Sequence, residues 1–147
     1  MSAFETVSEL VKGWQPQPLP TELKYRNSLA ELLRERLPKA KIETEYRHNG
    51  TTTDIYAKEP GLFGSTEVFV ELKRNLLHKA QLDRLVGQIE SLQPGKNAIL
   101  VVLCGDANPA LVTRFKEKYG IGGKAVTFGP GVVRLVVKAD AGKASKS

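Results

Sequence analysis

The chain has one cysteine, Cys104, in 147 residues, so it has no internal disulfide and no Cys/His cluster for structural zinc. It also lacks a long apolar run: the longest, Ala98 to Cys104, falls far short of the roughly 20 residues that cross a bilayer. Its acidic, soon Pro-rich start has neither the basic nor the apolar region of a signal peptide. Secretion and membrane insertion are therefore not expected, and a reducing cytoplasm is. The two histidines, His48 and His78, have no partner at a ligating or catalytic spacing, which sets aside zinc and His-based catalysis. Gly120 to Lys124 (GIGGK) lacks the GxxxxGK(S/T) spacing of a phosphate loop. No internal repeat is visible.

What is present fits one ordinary domain with a single core. Hydrophobic residues make up 41% of the chain, and 22 Lys plus Arg against 16 Asp plus Glu leave a formal charge of +6. That excess makes nucleic acid a natural partner, although charge alone names no ligand.

Phe4, Val7, Leu10, Val11 and Trp14 recur at three- and four-residue spacings, the stripe of an amphipathic helix over Ser2 to Trp14. Pro16, Pro18 and Pro20 end it and make an extended connector. The helix can pack on its own domain, dock a partner, or bridge a dimer. Thr21 is a good N-cap for a second helix that runs to Leu37, before Pro38. At about 100° per residue, Tyr25, Leu29, Leu32, Leu33 and Arg36 share its buried stripe with Glu22, whereas Glu31 and Glu35 face solvent.

Ile42 to Arg47 and Thr51 to Lys58 are β-branched and aromatic runs joined through His48, Asn49 and Gly50, an Asn-Gly hairpin. Pro60, Gly61 and Gly64 mark the next loop. Glu67 to Arg74 then alternates strictly, with Val68, Val70 and Leu72 on one face and Glu67, Phe69, Glu71 and Lys73 on the other. Leu77 to Leu92 is predicted helical, with Leu77, Leu82, Leu85, Ile89 and Leu92 near one side, and Asn97 to Cys104 is predicted to be a buried strand. A strand, helix and strand in this order imply parallel pairing. Pro109 to Tyr119 reads as a further helix. Lys124 to Phe128 and Gly131 to Lys138 read as a closing strand pair turned by Gly129, Pro130 and Gly131. The expected organisation is α/β, with an N-terminal helix and connector (1–20), a mixed-sheet domain (21–138) and a disordered basic tail (139–147).

Asp54 on the second strand and Glu71 on the third belong to hairpin neighbours, so the two carboxylates can converge with Lys73. The ordinary alternative is a cross-strand salt bridge on a solvated sheet face. Like-charged carboxylates brought together are costly unless a cation neutralises them. Mg²⁺ prefers hard oxygen ligands, typically one or two carboxylates, and Asp54, Glu71 and the Leu72 carbonyl offer such a set. A bound ion acidifies its water and stabilises charge on a phosphate. Lys73, on the same face as Glu71, is placed to orient or deprotonate the attacking water or to stabilise the transition state.

An acid on strand two and Glu-x-Lys in VFVELKR on strand three, preceded by a helix and followed by a helix and strand, resembles the PD-(D/E)XK nuclease superfamily. The match spans Thr21 to Cys104, and Thr53 stands where the family pattern has Pro. The resemblance implies a restriction endonuclease-like αβββαβ core with an additional C-terminal helix and strand pair. It implies a Mg²⁺-dependent endonuclease acting on DNA, with Mn²⁺ able to substitute. On that basis Asp54 and Glu71 hold the metal, Lys73 assists the nucleophile, Glu22 is the first-helix acid, and Gln88, with Gln81 as its rival, supports the lysine or substrate. Arg47, Arg74, Lys79 and Arg84 are the candidate phosphate contacts. A homodimer and a protein partner for the N-terminal helix are further expectations. The competing readings are a catalytically silent nuclease fold that binds nucleic acid or a protein, and an RNA-directed nuclease or toxin.

Overall fold

The structure, a computed structural model, describes residues 2–48, 50–61, 64–92, 98–122 and 132–138, with 61 and 64–66 described by their backbone. The element order is α1 (Ala3–Gly13), α2 (Glu22–Arg36), β1 (Lys41–His48), β2 (Thr51–Gly61), β3 (Gly64–Leu76), α3 (Lys79–Leu92), β4 (Ala98–Ala107), α4 (Pro109–Tyr119) and β5 (Val132–Lys138). The strands form one mixed sheet in the order β1-β2-β3-β4-β5. The β1–β2 and β2–β3 pairs are antiparallel, and β3–β4 and β4–β5 are parallel. Parallel pairing needs a crossover. α3 and α4 supply the two crossovers.

Both faces of the sheet are covered. Phe4, Val7, Val11 and Trp14 of the α1 segment join Tyr25, Leu29 and Leu33 of α2 over Ile55, Val68, Val70 and Leu72. On the opposite face, Leu82, Leu85 and Ile89 of α3 and Leu111 and Phe115 of α4 pack on Tyr56, Phe69, Ile99 and Val101. The alternation in β3 therefore distributes side chains between two cores rather than between core and water. Trp14 fixes α1 to α2: its ring meets Tyr25 edge-on at 6.3 Å, and its Nε1–H donates to Ser28 Oγ at 3.2 Å. Among the described residues no helix is long and apolar enough to cross a membrane.

Several boundaries differ from the sequence expectation. β2 and β3 continue through the expected Pro60–Gly64 loop, with Pro60 opposite Ser65 and Gly61 opposite Gly64. The β1–β2 ladder starts at Lys41 opposite Lys58, so beyond Lys58 a proline's missing N–H forfeits no bond to β1. The third helix starts at Lys79 rather than Leu77, because Gln81 Oε1 accepts from the Leu77 and His78 amides and caps it. Leu77 consequently leaves the apolar stripe and is 41% exposed. The expected strand at Lys124 to Phe128 and the tail at 139–147 lie outside the described residues, and β5 pairs in parallel with β4.

Two local reversals shape the sheet near Asp54 and Lys73. Ile42 belongs to the α1/α2 core, whereas Tyr46 packs against the α3/α4 core and stacks on Tyr56 at 3.8 Å. Strict alternation would place both on one face. The reversal falls at Glu45, a non-glycine residue at φ +51°, and the flanking pairs Thr44–Ile55 and Tyr46–Thr53 put it across from Asp54. The second reversal follows Arg74, where the β3–β4 register shifts. There Asn75 is at φ +60° and its Oδ1 accepts from the Asp106 amide at 2.8 Å. Gly105 faces it at φ +69°, and a Cβ there would lie 2.3 Å from Asn75 Oδ1.

Candidate active site

The β2–β3 ladder is regular up to Ile55 opposite Val70. One step further, the two strands brace each other through side chains. Asp54 Oδ2 accepts from the Leu72 amide at 2.7 Å, and Glu71 Oε1 lies 2.6 Å from Thr53 Oγ1, whose 3.3 Å separation from Val70 O is the weaker contact. Hairpin register brings Asp54 and Glu71 together, as the sequence predicts. Glu71 is 5% exposed, so the salt bridge on a solvated face does not describe it.

α2 delivers the third acid. Thr21 Oγ1 accepts from the Lys24 amide at 3.1 Å and starts the helix, which leaves Glu22 in its first turn. Glu22 Oε1 accepts from the Arg74 amide at 2.8 Å and lies 3.9 Å from Lys73 Nζ. The first-helix acid and the strand-three lysine are thus adjacent. Arg26, four residues after Glu22 on the same helix face, places its charge near Asp54 and bonds Glu45 Oε1 at 2.8 Å.

Burial and like charge set the proton affinities. Asp54 is pushed up to about 6, chiefly by desolvation, against the opposing Leu72 amide; Glu22 raises it further, and Arg26 and Lys73 pull it down. Glu71 is pushed up to about 8, first by burial and next by the Asp54 charge, with Thr53 and the Asp54 amide opposing. A desolvated carboxylate pair that retains protons suits a hard divalent cation, which displaces them on binding. Among the described residues, no three His, Cys, Asp or Glu side chains form a ready metal-holding group. Mg²⁺ needs no such group, since one or two carboxylates with water and phosphate oxygens suffice. Asp54 and Glu71 supply two such carboxylates, and Glu22 adjoins them through the Arg74 amide and Lys73.

The two glutamine candidates separate clearly. Gln81 caps α3, whereas Gln88 Nε2 donates to Thr52 O, two residues before Asp54. The four basic candidates do not act as one set. Arg74 Nε donates to Leu19 O at 3.0 Å, and the Leu19 amide donates to Tyr25 Oη at 3.0 Å, so Arg74 ties down the Pro-rich connector. Lys79 pairs with Asp83 at 3.0 Å on α3, and Arg47 and Arg84 are exposed.

Sequence reasoning missed two residues at this site. Thr53 was legible only as a departure from a family pattern, yet it is fully buried with its hydroxyl on Glu71. Arg26 carried a usable signal, its spacing of four from Glu22.

No protein-family model matches the chain, and no curated protein matches its sequence. Among solved structures it is similar to that of Pyrococcus furiosus SfsA in complex with Ca²⁺. The identity is 16% and the TM-score 0.44, over 80% of this chain and 59% of the SfsA chain. The chain thus spans about three-fifths of the SfsA chain's length.

Proposed function

We propose that the protein is a Mg²⁺-dependent endonuclease of the PD-(D/E)XK type that hydrolyses phosphodiester bonds in DNA, on a restriction endonuclease-like core. The observation that carries this reading is the pairing of buried Glu71 with Asp54 at the end of the β2–β3 ladder, beside Lys73 and Glu22. A purely structural role leaves two desolvated acids that either hold protons near neutral pH or repel each other once ionised. A divalent cation removes that cost.

Asp54, Glu71 and the Leu72 carbonyl are the residues to hold the ion. When bound, Mg²⁺ or Mn²⁺ supplies an acidified water and stabilises charge on the phosphate. Thr53 and the Leu72 amide fix the two carboxylates before any ion arrives. Glu22 holds the Lys73 ammonium at the site, where it orients the attacking water and offsets negative charge in the transition state. Gln88 steadies the β2 backbone ahead of Asp54. The net charge of +6 draws in the phosphate backbone.

The test is a cleavage panel of single-stranded, duplex and branched DNA and of RNA, with Mg²⁺ or with chelator. The expected result is Mg²⁺-dependent cutting of DNA that falls at least about 100-fold in Asp54→Ala and in Lys73→Ala. Cutting that survives either substitution overturns the site assignment. Binding without cutting on every substrate leaves a silent binding module, and a preference for RNA reassigns the substrate.

A further inference from the structure

Arg26 and Glu45 form a contact that the proposed hydrolysis does not use. The Arg26 side chain is 14% exposed, whereas its partner Glu45 is 70% exposed, and Nη1 to Oε1 is 2.8 Å. Asn27 Oδ1 accepts from Arg26 Nε at 3.3 Å and from Nη2 at 3.1 Å, which orients the guanidinium on its helix. Glu45 sits in left-handed backbone inside a strand, across from Asp54. Such a conformation is unfavourable for a residue with a Cβ and persists where its surroundings enforce it. The chain therefore keeps an oriented, mostly buried guanidinium next to the acid site and covers it with an exposed carboxylate on strained backbone. A carboxylate and a phosphodiester offer the same paired oxygens to an Arg fork.

We propose that Arg26 is the binding position for a backbone phosphate of the nucleic acid, and that Glu45 occupies this position until the substrate displaces it. The inference rests on the nuclease reading and names a substrate contact beside the same site. Entry of the phosphate exchanges one anion for another at Arg26, so the guanidinium is never left buried without a partner. It also places that phosphate on α2, one turn beyond Glu22, so the strand would run over the helix N-terminus toward Asp54.

The test measures binding of a fluorescent oligonucleotide across a salt series, in the full chain carrying Lys73→Ala to suppress cutting. Arg26→Ala is expected to weaken binding about tenfold and to reduce the salt slope by about one phosphate contact. Glu45→Gln, at an exposed side chain, is expected to tighten binding about threefold to tenfold, and to lose that gain when combined with Arg26→Ala. Unchanged affinity and slope in Arg26→Ala overturn the proposal. An undiminished Glu45→Gln gain without Arg26 also overturns it, because simple relief of repulsion then accounts for the gain. Competition by excess inorganic phosphate at constant ionic strength assigns the position to a free anion; persistence of binding assigns it to the polymer. Cleavage by the chain with native Lys73 is scored separately. Cutting with Arg26-independent binding removes this inference alone, and Arg26-dependent binding without cutting removes the nuclease reading alone.

Discussion

Thr53 Oγ1 lies 2.6 Å from Glu71 Oε1, joining a fully buried hydroxyl on one strand to a nearly buried carboxylate on the next. The contact favours the ionised form of Glu71 against the burial and the Asp54 charge that raise its proton affinity. Thr53→Val keeps the shape and removes the hydrogen bond. It leaves a buried Glu71 oxygen without that partner, so folding stability is expected to fall by about 1–3 kcal/mol. Cleavage at neutral pH should fall about tenfold, with the acidic limb of the pH–rate profile moved to higher pH, and Thr53→Ser should restore both. An unmoved pH profile in Thr53→Val would show that the hydroxyl does not act on Glu71.

The metal-free protein should become less stable as the solution turns alkaline. Folded Glu71 keeps its proton up to about pH 8 against an ordinary value of 4.5, and Asp54 up to about 6 against 3.8. Between those limits the folded state binds more protons than the unfolded state, so stability is full below them and is lost as pH rises. Urea melts at pH 5 and pH 8.5 in chelator should differ by a few kcal/mol, on the order implied by about 1.4 kcal/mol per pH unit. Mg²⁺ should recover much of the loss at the higher pH, since it binds only the folded pair. Asp54→Asn should lower the Glu71 proton affinity and flatten the dependence. Equal stability at both pH values would contradict the buried pair.

α1 is part of the core, and Trp14 is the side chain that joins it to α2. Trp14→Ala is expected to cost about 3–5 kcal/mol, as for other large aromatic truncations in a core. A denaturant series that gives less than about 1 kcal/mol would mean that α1 is only loosely attached.

Gly105→Ala should destabilise the chain by about 2 kcal/mol or more, because its positive φ and the 2.3 Å approach to Asn75 Oδ1 both exclude a Cβ. Asn75→Gly removes the obstruction, so the double variant should recover part of the loss, and strict additivity in thermal melts would argue against the contact.

The elements that position the site were legible where the signal was local. The Thr21 cap and the stripe through Tyr25, Leu29 and Leu33 mark α2 and put Glu22 on its inner side. The Asn-Gly signal marks the hairpin: Gly50 is at φ +81°, and His48 pairs with Thr51. Alternation in Glu67 to Arg74 puts Phe69 on one face and Val68, Val70 and Leu72 on the other, as found. Features set by tertiary contact were not legible. A glutamate at positive φ has no composition signature, so the reversal at Glu45, and with it the Arg26 contact, could not be read. The bulge at Asn75 depends on Gly105 from another strand. Continuation of β2 through Pro60 depends on where β1 begins, because beyond Lys58 the missing amide forfeits no bond to β1.

The central claim is that Asp54 and Glu71 together hold a divalent cation. A crystal soaked in Mn²⁺ and measured for anomalous scattering tests it most directly. The account predicts a peak within bonding distance of one oxygen from each carboxylate, absent from a matched Asp54→Ala crystal. No peak between the two carboxylates in a fully soaked crystal, or a peak that persists unchanged without Asp54, would contradict it.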